Sequence, residues 1–180
     1  MISVADIYHP EIWVGFFQLV GTGAAALTGL VFVSMSLNLH VITQDVTHRY
    51  RAIGTLAGLT AIFMICSFAI MGGQNHLAVG IEWLVTASIA AFVYLHGYFK
   101  AIKGMGSSVG LGYGRLVSGT TCYIAQIIGS IVLLSGHILG IYIAASAMII
   151  YIPFIISGAW LLMVGVHLDL AKQQKKGINN

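Results

Sequence analysis

Five stretches of the chain read as nearly continuous apolar runs: residues 13–39, 52–71, 81–99, 116–135 and 139–166. Each has at least roughly the 20 residues that a helix needs to cross the hydrocarbon core of a bilayer. The segments between them are short and polar or glycine-rich: "GGQNHLAVG" after the second run, "KGMGSSVGLGYGR" after the third, "GHI" after the fourth. The pattern predicts an all-α fold, an integral membrane bundle of five transmembrane helices forming one domain over residues 1–180. Pro153, near the middle of the last run, is expected to kink it. Its ring removes one backbone hydrogen bond and frees the carbonyl of Ile149.

The basic residues give this bundle a direction. Arg49 and Arg51 lie between the first and second runs, Lys100, Lys103 and Arg115 between the third and fourth, and Lys172, Lys175 and Lys176 in the tail. The opposite side carries Asp6, Glu11 and Glu82 and no basic residue. Cytoplasmic loops are enriched in Lys and Arg, so the N-terminus is expected outside and the C-terminus in the cytoplasm. The first residues, "MISVADIYHPE", lack the positive n-region of a cleavable signal.

The run "GLGYG", Gly110 to Gly114, differs at two positions from the TVGYG filter of potassium channels. Lys100, Lys103 and Arg115 place it on the cytoplasmic side, where that filter does not sit, and no room precedes it for a re-entrant helix. Glycine and serine dominate from Gly104 to Gly114, so a flexible connector is expected there.

Composition agrees with the membrane reading. The 180 residues are 58% hydrophobic and only 7% charged, against roughly a quarter charged in soluble domains. A net charge of +3 carried by eight Lys and Arg residues orients spans and does not suggest nucleic acid. Cys66 and Cys122 fall in opposite leaflets, about 12 Å apart in depth at 1.5 Å per residue, so no disulfide is expected between them.

Within the first run, Gly21, Ala25 and Gly29 recur every four residues, a spacing that lets another backbone come close. Gly54 and Gly58 repeat the device in the second run. A small and polar row follows Thr22, Ala26, Ser34 and Asn38, and another follows Ser118, Cys122, Gln126 and Ser130. These rows serve as packing surfaces or as a polar seam along a water path. No charged residue lies in the middle third of any span, which weighs against proton-coupled carriers, pumps and voltage sensors.

At the outer face, Glu11, Gln74, Asn75, His76 and Glu82 form a candidate polar cluster, although Glu82 also suits the N-terminus of a helix. His40, His96 and His167 lie at inner span ends, with His48 nearby, and His76 and His137 at outer ends. Such layers suit haem b held by two imidazoles, or another metal, and equally suit rings resting at the headgroup level. Trp13, Trp83, Tyr8, Tyr98 and Tyr113 read as interface anchors, and Trp160 as packing. Enzyme chemistry has few players here: no carboxylate pair lies on one helix face.

The segment "EIWVGFFQLVGTGAAALTGLVFVSMSLNL" carries an aromatic pair, a Gly/Ala-rich run and a G-L-x-F-V-x-x-S-x-N-L close from Gly29 to Leu39. It resembles the opening of a family of small, uncharacterised bacterial multi-span inner-membrane proteins. The resemblance implies a bacterial inner-membrane location and an unnamed role for Ser36 or Asn38. Three functions are thus expected of this chain, in this order. The first is a non-enzymatic homo-oligomeric channel or pore-like assembly. The others are a haem- or metal-carrying or accessory subunit of a membrane redox complex, and a scaffold that modulates a partner membrane protein.

Overall fold

The computed structural model describes residues 9–44, 46–104 and 109–178, with side chains for all of these except 10, 41, 46, 47, 101–104, 109–113, 115 and 161–178. Every secondary-structure element among the described residues is helical: α1 (Pro10–Leu37), α2 (Leu39–Gln44), α3 (Val46–Ile70), α4 (His76–Gly104), α5 (Val109–Leu134) and α6 (Leu139–Ile178). All but the short α2 are long and apolar enough to cross a membrane. This is the architecture of a multi-pass membrane protein.

Local chemistry sets the ends of these helices. Pro10 opens α1 at a position whose N–H has no helical partner in any case. Asn75 caps α4, its Oδ1 accepting from the Ala78 N–H at 2.8 Å. Gly136 closes α5 with φ +79°, a left-handed conformation that glycine adopts without steric cost. Its N–H donates to the Leu133 carbonyl and that of His137 to the Val132 carbonyl, satisfying two carbonyls the helix end leaves open.

α3 is the centre of the bundle and packs against α1, α4 and α6, while α5 lies between α4 and α6. Lipid tails are as apolar as leucine, so helices in a bilayer associate through close packing and interhelical hydrogen bonds, not hydrophobic transfer. Glycine supplies the close approaches. A Cβ added at Gly129 of α5 would stand 2.9 Å from the Gly140 carbonyl oxygen and 3.0 Å from the Ala144 nitrogen of α6. At Gly58 of α3 it would stand 2.8 Å from the Tyr151 hydroxyl. Because the obstacle at Gly129 is backbone, Gly129→Val is expected to destabilise the bundle by about 1–3 kcal/mol, the usual cost of overpacking. A thermal melt in detergent with an unchanged midpoint would contradict that packing.

Three sequence expectations need correction. Gly110 to Gly114 are helical, since α5 begins at Val109; only residues 105–108, outside the described set, separate α4 from α5. Glycine costs about 1 kcal/mol per helical position, but a helix already nucleated by an apolar span gains a hydrogen bond for each residue it adds. Trp83 is no interface anchor: it is fully buried, at 0% exposure, and its indole N–H donates to the Ile65 carbonyl at 3.0 Å. Trp160, read as packing, is 68% exposed. Trp13 and Tyr98 are half-buried, and Trp13 meets Tyr142 of α6 edge-on at 4.8 Å. Tyr8 and the Tyr113 side chain lie outside the described residues.

α6 continues through Pro153 without a break and runs for 40 residues. At 1.5 Å per residue that is about 60 Å, twice the hydrocarbon thickness. Its apolar portion is Leu139–Trp160, and the helix then continues into the lysine-bearing tail.

Candidate functional site

The two polar rows expected from the sequence do not meet. Among the described residues α1 and α5 do not pack against each other. In the α5 row Gln126 and Ser130 are buried in the core, Cys122 is half-buried and Ser118 is exposed. In the α1 row Thr22 and Ala26 are exposed, and Ser34 and Asn38 are half-buried. Asn38 ends α1: it is a turn residue whose Nδ2 donates to the Ser34 carbonyl at 3.0 Å.

Most hydroxyls in the spans are satisfied by their own helix. Ser118 donates to the Gly114 carbonyl at 2.9 Å, Ser130 to that of Gln126 at 2.9 Å and Thr28 to that of Ala24 at 2.7 Å. A serine or threonine that bonds back one turn needs no partner helix and no water. Its presence in a span is therefore weak evidence for a path.

The centre of the bundle does hold a polar group of its own. Tyr151 of α6 donates to the Tyr123 hydroxyl of α5 at 2.7 Å, with the rings 5.1 Å apart. Beside them Gln126 is 6% exposed and its Nε2 has no hydrogen-bond partner among the described residues. A cavity of about 20 Å³ opens between Gly58, Cys122, Tyr123, Gln126, Met148 and Tyr151, room for a single water. A buried, unpaired amide costs about 1–3 kcal/mol. Gln126→Met, which keeps the volume and removes the amide, is accordingly expected to hold or raise the melting midpoint. A fall of several degrees would mean that the amide has a partner.

In the α3–α4 connection, Gln74 is joined to Glu82 of α4, Gln74 Nε2 donating to both carboxylate oxygens at 2.9 and 3.0 Å. Asn75 is spent on the α4 cap and His76 is buried at the start of that helix. Glu11 is exposed and lies 3.9 Å from the His9 ring. The candidate cluster is thus a Gln74–Glu82 pair beside a capped helix start.

The histidines are dispersed. His40 faces Gln44 at 3.2 Å, His96 stacks on Phe92 at 5.9 Å, and His40, His96 and His137 are all exposed. The His167 side chain is outside the described set. No three His, Cys, Asp or Glu side chains among the described residues stand close enough to hold a metal ion. Both cysteines are free.

The exposed side of α1 shows a feature that the four-residue rows obscured. Glu11, Gly15, Gln18, Thr22, Ala25, Gly29, Phe32 and Ser36 follow one another at alternating steps of four and three, and every one is exposed. Seven of the eight are polar or small, on the side of a membrane-spanning helix that its own chain leaves uncovered. The Gln18 and Thr22 side chains make no hydrogen bond among the described residues, and none of these residues comes within 4 Å of a Cβ at Gly15 or Gly29. The row Gly21, Ala25, Gly29 divides instead: Gly21 faces α3, where an added Cβ would stand 2.9 Å from the Cys66 Cβ, while Ala25 and Gly29 face outward. The signal was present in the sequence as a 3.5-residue period, which tracks one face of a helix, whereas steps of four drift across it.

Comparison with protein-family models, curated proteins and solved structures found no match to this chain.

Proposed function

We propose that copies of this chain associate through α1 and enclose a polar path between them, forming a homo-oligomeric channel in the bacterial inner membrane. The observation that supports this reading is the exposed α1 stripe from Glu11 to Ser36. An unpaired side-chain amide facing hydrocarbon is costly, and Gln18 escapes that cost when it faces its counterparts across an axis. The small residues at Gly15, Ala25 and Gly29 let the backbones approach. The 3.5-residue period keeps the same face inward along a left-handed crossing.

In this assembly Gln18 and Thr22 line the path and Ser36 lies toward its inner end. Glu11 stands at the outer mouth, because the basic segments put the N-terminus outside and the C-terminus in the cytoplasm. A ring of carboxylates at a mouth favours cations. Reconstituted into liposomes, the chain is expected to pass small monovalent cations in preference to anions. Gln18→Leu makes the narrow part apolar and prone to dewetting, so flux should fall at least severalfold while the oligomer persists. Flux equal to that of the native chain would remove α1 as the lining.

A further inference from the structure

A groove of about 630 Å³ runs along the outer side of α3 and α4, away from the α1 stripe. Its walls include Ile53, Thr60 and Met64 of α3 and Glu82, Ile89 and Val93 of α4. The volume is that of a small-molecule site, and the lining is apolar except for Thr60, Thr86 and Glu82. On α3 the lining runs from Ile53 to Phe68, about 22 Å at 1.5 Å per residue. That is deeper than one leaflet, about 15 Å, so the part from Ile53 to Met64 alone accommodates an acyl chain of a single leaflet.

The inner end of this groove is positively charged. Arg49 lies one turn below Ile53 on the same face of α3, and Lys100 two turns below Val93 on the same face of α4. The two cations converge on one aromatic floor. The Arg49 guanidinium carbon is 5.4 Å from the centre of the Tyr50 ring and the Lys100 ammonium 5.6 Å. Tyr50 is held there by Gly97, where a Cβ would come within 3.3 Å of its ring. Among the described residues no carboxylate oxygen lies within 4.0 Å of the Arg49 or Lys100 nitrogens, so none neutralises them. Both side chains are exposed.

From this geometry we infer that the groove is a binding site for an anionic phospholipid of the inner leaflet. The phosphate rests between Arg49 and Lys100 above Tyr50, and one acyl chain lies along the α3–α4 groove. The charge sits only at the inner mouth. At the outer mouth Glu82, paired with Gln74, would repel the same headgroup, so the site distinguishes the two leaflets. Basic residues between or beside spans recognise anionic lipids in this way. The inference uses none of the α1 stripe and stands or falls apart from the channel.

The test is native mass spectrometry of the full chain in mild detergent, with equal amounts of phosphatidylglycerol and phosphatidylethanolamine of identical acyl chains. The native chain is expected to retain phosphatidylglycerol in clear excess. The Arg49→Gln/Lys100→Gln variant should lose roughly thirtyfold of that preference, about 2 kcal/mol for two basic residues at a headgroup. Ile89→Trp, which fills the groove, should reduce retention of both lipids. Lys175→Gln/Lys176→Gln removes two charges from the tail and should change nothing. Equal retention of the two lipids by the native chain would overturn the site. So would an equal loss with the tail variant, which indicates diffuse attraction, or lipid expelled whenever copies associate, which indicates a second chain in the groove.

Discussion

Replacing Trp83 with alanine is expected to destabilise the bundle by about 2–4 kcal/mol, below the about 3–5 kcal/mol of a soluble core because the cavity cost remains and the transfer from water does not. The side chain is completely enclosed, its ring meets Phe17 of α1 at 5.6 Å, and its N–H reaches the Ile65 carbonyl of α3. One residue thus ties three helices together. In a bilayer this is a packing contribution, since the indole gains nothing from leaving water. Trp83→Phe keeps most of the ring contact and loses the hydrogen bond, so it should cost about 1 kcal/mol. Trp160→Ala, on an exposed face, should stay within about 0.5 kcal/mol of native. Melting midpoints of the three variants in one detergent check the order. Equal losses at positions 83 and 160 would contradict the burial of Trp83.

The second large effect concerns assembly. Gly29→Phe is expected to leave each copy folded and to abolish the oligomer. Among the described residues nothing lies within 4 Å of a Cβ at position 29, which is on the exposed side of α1, whereas a copy packed on the α1 stripe would collide with a ring there. Gly21→Phe is the contrasting variant, because the Cys66 Cβ stands 2.9 Å from where its own Cβ would be. That change should fail at folding, not at association. Size-exclusion chromatography with light scattering separates the two outcomes. A Gly29→Phe protein that elutes with the native copy number would show that α1 is not the contact.

Much of the architecture was legible in the sequence because it follows from single-helix properties. Span length and apolar continuity depend on no partner helix, and the chain forms five helices long and apolar enough to cross a membrane, as those properties predict. What the sequence hid depends on rotation. Trp83 and Trp160 sit at positions where either an anchor or a core residue is plausible, and only the packing of α4 on α3 decides between them. The rows from Thr22 and from Ser118 were visible as spacing, but spacing leaves each helix free to turn. The α5 row turns inward to Gln126 and Ser130, and Thr22 turns outward. Gly110 to Gly114 misled for a different reason: glycine content lowers helix propensity, yet the helix grows back through it from an apolar span.

The central claim, that copies meet along α1, is tested most directly by cysteine cross-linking in liposomes at a low protein-to-lipid ratio. Ala25→Cys lies on the exposed stripe and Ile124→Cys on an exposed side of α5. Both are made in a Cys122→Ala background, with the buried Cys66 left in place. Mild oxidation is expected to give a covalent dimer with Ala25→Cys and only monomer with Ile124→Cys. Monomer at both positions, or dimer at position 124 alone, would contradict the assembly.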